Sequence, residues 1–332
     1  LLAGGSVAGI WLLGSQYLVA GLLDAGFRTS QVAGPAPGTD SFGDLWPSLS
    51  AITTVSDYFT DYAQRALTRY WLEDHNVQLA RLINAQAQGH EGDALPPSNI
   101  WLEHRLANDN PSLEFLAGGR WTTVSGEANG KQQAGSVPTS PVLLIVDPNH
   151  DWSALRAALP APATLDVIEG PLAQGDNDAT PRRAFIGVRA EPLPTGASAG
   201  GDVQAQFERG IALELATVQP ALQPANFYTV TLIWSVSEPV GEDYAVFVHW
   251  LRDGRPQPLV QADSSPAKGY LPMPIWRAGD RIVDRHILVL DAEAPEGDYS
   301  IEVGLYDPLS GQRVKTPRGD SRLLLLDVIT VE

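Results

Sequence analysis

Cysteine is absent from all 332 positions, methionine occurs once, and lysine supplies only Lys131, Lys268 and Lys315 of the 22 basic side chains. The first absence excludes disulfides and thiolate metal sites. Basic charge is scarce as a whole: 39 aspartates and glutamates leave a formal net charge of -17, which repels a phosphate backbone and argues against nucleic acid as a partner. Familiar catalytic signatures are missing too. Gly118 and Gly119, after LEFLA, lack the spacing of a dinucleotide fingerprint and read as a helix C-cap. Ser125 in TVSGE has Thr123 and Glu127 where a nucleophile elbow needs its glycines. His75, His90, His104 and His150 show no metal-ligand spacing, and His249 and His286, each inside a strand pattern, read as packed or hydrogen-bonded sheet residues. Glu242 and Asp243 fall in a hairpin turn, which leaves a glycosidase pair without further support. No catalytic residue, cofactor or metal ligand is therefore assigned. The Asp176 and Asp178 loop, an oxygen-rich stretch, lacks the later glycine and glutamate of an EF-hand.

What is present is apolar and patterned. Hydrophobic residues make up 44% of the chain, enough for two cores. Leu1 to Leu23 carries no charge, and at about 1.5 Å per residue spans roughly 30 Å, the thickness of a bilayer's hydrocarbon. The segment predicts a transmembrane helix, with Gly5 and Gly9 as a small-residue face for helix–helix packing. No basic cluster follows it, so the charge rule places the remaining domains on the extracytoplasmic side of a single-pass cell-membrane protein.

Residues 24–50 are rich in Gly, Pro and Ser and read as a linker, with Trp46 as a candidate interfacial anchor. Over Ser56 to Gln86, apolar residues at spacings of three and four predict one or two amphipathic helices. Strand-like and helix-like pieces then alternate around PVLLIVDP, whose run Val142 to Val146 predicts a central strand covered on both faces. Residues 51–191 therefore read as a small α/β, Rossmann-like layered domain. The stretch 192–201 reads as a linker, and 202–332 as an antiparallel β-sandwich of seven or eight short alternating strands. In this last part Val246, Val248 and Trp250 alternate with Phe247, His249 and Leu251. Asp263, Asp280 and Asp284 surround the Pro266 to Pro274 loop, and of these Asp263 and Asp280 stand with the aromatics Tyr270 and Trp276. These last four are the candidate glycan-binding residues, since aromatics stack on sugar faces and carboxylates take hydroxyls, although core and turn roles suit the same residues.

The pattern FVHW, QADSSP, WRAGDRIVDRHILVL and APEGDYSIEVGLYDPLSGQRV resembles the C-terminal β-sandwich of membrane proteins related to the dolichyl-phosphate-mannose protein mannosyltransferases. SDYFTDYA resembles the segment after the last membrane helix of that family. The resemblance implies an extracytoplasmic tail, or a detached relative, whose catalytic acids lie in an early loop with no counterpart here. It implies a non-catalytic, membrane-anchored accessory role that positions a glycan or acceptor. The expected partners are membrane lipid, other membrane protein chains or a missing membrane domain, and a glycan. The alternative is a structural or interaction subunit of a membrane assembly, docked through its single helix.

Overall fold

The computed structural model describes residues 74–89, 93–125, 138–149, 151–174, 179–194, 203–220, 226–252, 257–291, 294 and 297–331. The expected transmembrane segment with Gly5 and Gly9, the linker at 24–50 and the Asp176 and Asp178 loop lie outside them. The chain divides into two compact units: Leu1–His75 with Leu172–Arg182, and Asn76–Pro171 with Arg183–Glu332. The second carries every strand of the two main sheets.

Among the described residues the α-helices are few and short. They are α1 (Asp74–Gln88), α2 (His104–Asp109), α3 (Ser112–Ala117) and α4 (Ser153–Arg156). The strands are β1 (Ile100–Glu103), β2 (Thr122–Val124), β3 (Val142–Val146), β4 (Ala163–Glu169), β5 (Leu172–Ala173), β6 (Arg182–Arg183), β7 (Ile186–Pro192), β8 (Ala205–Gln206), β9 (Ile211–Pro220), β10 (Phe227–Val236), β11 (Ala245–Arg252), β12 (Pro258–Gln261), β13 (Arg281–Val289), β14 (Gly297–Tyr306) and β15 (Leu323–Val331). Nine of them form one mixed sheet in the order β2-β1-β3-β7-β4-β13-β10-β9-β8, and four form an antiparallel sheet in the order β12-β11-β14-β15.

This architecture corrects the expected fold class. In place of a transmembrane helix, a separate α/β layer and a separate sandwich, the described chain is mostly sheet, and its largest sheet runs through both expected domains. The join is the parallel pairing of β4 with β13, Thr164 opposite Arg281 and Leu165 opposite Ile282. Arg285 on β13 and Asp166 on β4 add an ion pair beside it. No described helix is long and apolar enough to cross a membrane. The longest, α1, has 15 residues, reaches only about 22 Å, and carries Arg81 and Gln88 at exposed positions. The single-pass placement in the cell membrane, and the membrane role built on it, are corrected with it.

Packing explains the layers. All five residues of β3 are buried, because helices cover one face and the small sheet's core reaches the other. On the helical side Leu79 and Ile83 of α1 meet Ile100, Leu102, Leu143 and Ile145. On the other side one continuous core joins Val142, Leu144 and Leu155 to Trp234, Trp250 and Trp276. Each fully buried large apolar side chain contributes about 1.5–3 kcal/mol, so a core shared this widely holds the two sheets together.

Strand β11 is buried on both faces from Ala245 to Leu251. Val246, Val248 and Trp250 enter the shared core, whereas Phe247 and His249 point to the other face, their rings 4.9 Å apart. The Arg313 guanidinium sits 4.2 Å over the Phe247 ring. Buried Glu302 accepts from Arg313 at 2.6 Å and from Arg322 at 2.9 Å. Gly304 is required by the same close approach: an added Cβ would meet Phe247 Cζ at 2.3 Å and the Ser321 carbonyl at 2.8 Å. Gly304→Ala is expected to lower stability by about 1–3 kcal/mol through overpacking. Urea denaturation checks it, and an unchanged midpoint would contradict this account of the covered face.

Candidate functional site

The four residues selected from sequence do not converge on one surface. Trp276 is 1% exposed, and its Nε1–H donates to the Leu271 carbonyl at 2.8 Å. Asp280 is fully buried, pairs with Arg156, and accepts the Ala163 N–H at 3.0 Å and the Arg277 N–H at 2.8 Å. Both are committed inside the protein. Tyr270 packs half-buried against the core, and burial together with the nearby Glu169 charge raises its hydroxyl pKa. Glu169 is itself held by Arg183 at 2.6 Å and by Lys268. Asp263 lies on the outer face of the small sheet, with its carboxylate 3.2 Å from His249 Nε2. Tyr306 shares that face, its hydroxyl pKa raised by partial burial and by Asp263.

Both sheet histidines engage carboxylates. The ring of His286 has Nδ1 at 2.7 Å from the Ala262 carbonyl and Nε2 at 2.9 Å from Asp284 Oδ2. Two acceptors, one at each nitrogen, require a doubly protonated ring. It is a buried structural ion pair and presents no atom to a substrate.

The concave surface lies elsewhere. A cleft of about 610 Å³ opens between the Asp307–Gln312 turn after β14, the Gly241–Tyr244 turn before β11 and the Glu208–Arg209 corner before β9. Asp307 builds the first wall. Its Oδ2 accepts the Ser310 hydroxyl at 2.6 Å, its Oδ1 the Leu309 N–H at 2.9 Å, and its carbonyl the Gly311 N–H at 2.8 Å. The Ser310 hydroxyl first, then the Leu309 N–H, hold its carboxyl below the usual range. Gly311, at φ +70°, closes the turn in a conformation that a side chain would strain. The turn lifts Leu309 into solvent, where it is 96% exposed beside Pro308.

Asp243, in the second wall, accepts the Met273 N–H at 3.0 Å and so fixes the turn. Glu242 and Arg209 face each other at 3.5 Å and both stay exposed. Arg209 sits at φ +65°, a left-handed position unusual for a residue with a side chain. Of the cleft's carboxylates, Asp243 accepts from backbone and Asp307 from backbone and the Ser310 hydroxyl, and no His is among the lining residues. Among the described residues no three His, Asp or Glu side chains gather as metal ligands. The wall combines acceptors (Glu208, Glu242), donors (Arg209, Gln312) and an exposed apolar lip (Pro308, Leu309). Polar groups that converge in a concavity are what a binding site requires, which makes this cleft the candidate.

Sequence reasoning found Glu242 and Asp243 only as a turn, and Pro308 and Gly311 only as punctuation. Arg209, Leu309 and Arg313 carried no signal of their own. No protein-family model matches the chain, and none of the curated proteins is similar enough to match.

Proposed function

We propose that this chain is a non-catalytic accessory module that holds a glycan acceptor for a transferase whose catalytic groups lie elsewhere. The cleft supports this reading best. Each hydroxyl of a sugar both donates and accepts, and the wall sets carboxylates next to guanidinium and amide groups, while the Pro308 and Leu309 lip suits the C–H face of a ring. The likeness of FVHW and APEGDYSIEVGLYDPLSGQRV to the sandwich of protein mannosyltransferase-like proteins points to the same ligand class. Seven of the cleft's lining residues, from Asp307 to Val314, fall within that pattern.

Affinity electrophoresis through a mannan-containing gel tests the proposal. The chain is expected to be retarded. Arg209→Gly, which suits the left-handed φ, and Leu309→Asp, at an exposed position, are expected to weaken binding about tenfold each, the equivalent of about 1.4 kcal/mol, with the melting temperature preserved. Full retardation of both variants would remove the cleft from the account.

A second reading, a structural subunit that braces another protein chain, is favoured by one observation. Leu215, Ile287 and Val289 are 40%, 49% and 42% exposed and lie on one face of the large sheet. Under that reading the chain isolated from its own cells sediments within a larger assembly, and Ile287→Lys with Leu215→Lys releases it.

A further inference from the structure

Strands β2, β1 and β3 run parallel and lie side by side in that order, although the chain visits β1 first. It then leaves β1 and β3 on opposite sides of the sheet. After β1, Leu106 of α2 and Leu113 of α3 pack with α1 on Leu143 and Ile145. After β3, Trp152 and Leu155, at α4, pack on the other face with Val142 and Leu144. Where neighbouring parallel strands part in this way, a crevice opens outside their carboxyl ends, and it is where open α/β sheets bind ligands. Here those ends carry Glu103 and Asp147. Glu103 is 8% exposed, and its Oε2 accepts the Asp147 N–H at 2.9 Å. Among the described residues no basic side chain pairs with it, and its Oε1 accepts no hydrogen bond. That oxygen is not sealed from solvent either, so through it the carboxylate meets the crevice. Asp147 brings a second carboxylate to the same place, with Oδ1 accepting the Asn149 N–H at 2.8 Å and Nδ2–H at 2.7 Å.

We infer that this crevice is a site for one hydrated divalent cation of the Mg²⁺ class. A carboxylate more than nine-tenths buried is ordinarily paired with a basic group or bound to a metal, and Glu103 has no basic partner among the described residues. The ligand it lacks is therefore positive. The number of carboxylates selects among cations. Ca²⁺ takes about six to eight oxygen ligands, whereas Mg²⁺ keeps several of its waters and needs only one or two carboxylates from a protein. Two are what the strand ends supply, in keeping with the absence of any three-residue ligand cluster among the described residues. Glu103 holds the inner position, because the Asp147 N–H fixes one oxygen and leaves the other to the ion. The site shares no residue with the cleft, so it stands or falls independently of the proposed glycan reading.

The test is a titration of the full chain with Mg²⁺ at physiological ionic strength, followed by amide chemical shifts. Saturable shifts are expected at Glu103, His104 and Asp147, together with a rise in melting temperature. Glu103→Gln keeps an acceptor for the Asp147 N–H but removes the charge, and is expected to weaken binding at least about tenfold. Asp147→Asn, which keeps an acceptor for the Asn149 N–H, is expected to weaken it severalfold, and it decides the matter if Glu103→Gln does not fold. Shifts scattered over the acidic surface and unchanged by the substitutions would mean counterion binding alone and would overturn the site. So would an absence of saturable shifts at the two strand ends in excess Mg²⁺.

Discussion

Asp284→Ala is expected to destabilise the protein by about 3–5 kcal/mol, the range for removing one partner of a buried ion pair. Asp284 is fully buried and accepts from three places: the Ala267 N–H at 2.9 Å, Trp234 Nε1–H at 3.3 Å and His286 Nε2–H at 2.9 Å. Removing it strands the His286 charge and releases Ala267. That release matters because Ala267, Lys268 and Gly269 run consecutively at φ +49°, +58° and +85°. A left-handed residue with a side chain costs roughly 1–2 kcal/mol, so the turn needs an anchor. The same clamp predicts a pH dependence. Burial lowers the His286 pKa, but the hydrogen bond and charge of Asp284, the Ala262 carbonyl and the Asp263 charge outweigh it, and the net shift is upward. A folded pKa above the unfolded value of about 6.5 stabilises fully below that value, and the contribution is lost as pH rises through the folded pKa. His249, 3.2 Å from Asp263, is the neighbouring titratable ring. The comparison is therefore between wild type and His286→Gln. From about pH 6 to about pH 9 the wild-type urea midpoint is expected to fall and the variant's to fall less. Parallel curves would mean that His286 is not held as an imidazolium.

Asp280→Ala is expected to have an effect of the same size, about 3–5 kcal/mol, for a different structural reason. Asp280 pairs with Arg156 of α4, which is itself 2% exposed and also donates to the Pro160 carbonyl at 3.0 Å. It also caps the N–H groups of Ala163, at the start of β4, and Arg277, just before β13. One carboxylate thus ties together the two strands whose pairing joins the large sheet. Asp280→Asn, which keeps an acceptor, is expected to lose less than the alanine variant. Guanidinium denaturation of both checks it, and equal losses would show that the charge, rather than the capping, carries the effect.

These two carboxylates also show where sequence reasoning stops. The alternation of Val246, Val248 and Trp250 was legible as a strand, and the run Val142 to Val146 as a strand covered twice, because period and apolarity are local properties. Gly118 as a helix C-cap was legible for the same reason, and it sits at φ +61° with its N–H on the Glu114 carbonyl at 2.9 Å. The large sheet was not legible. Its β4 and β13 ladder joins residues over a hundred positions apart, across a stretch whose small residues, Pro and Gly suggested a boundary. Asp263, Asp280 and Asp284 look alike in sequence. Burial separates them, leaving the first 28% exposed by side chain and the other two sealed. The same holds for Trp276, an apparent sugar platform that the core consumes. The cleft escaped notice because its walls come from three turns, and turn residues announce a change of direction without showing what they will face.

The central claim is that the cleft between the Asp307–Gln312 and Gly241–Tyr244 turns holds a sugar acceptor. The most direct measurement is a crystal structure of the chain soaked in a short manno-oligosaccharide. The account predicts a sugar ring against Leu309, with its hydroxyls on Glu242 and Arg209. A cleft that stays empty at saturating oligosaccharide, or a sugar bound only elsewhere on the surface, would contradict it.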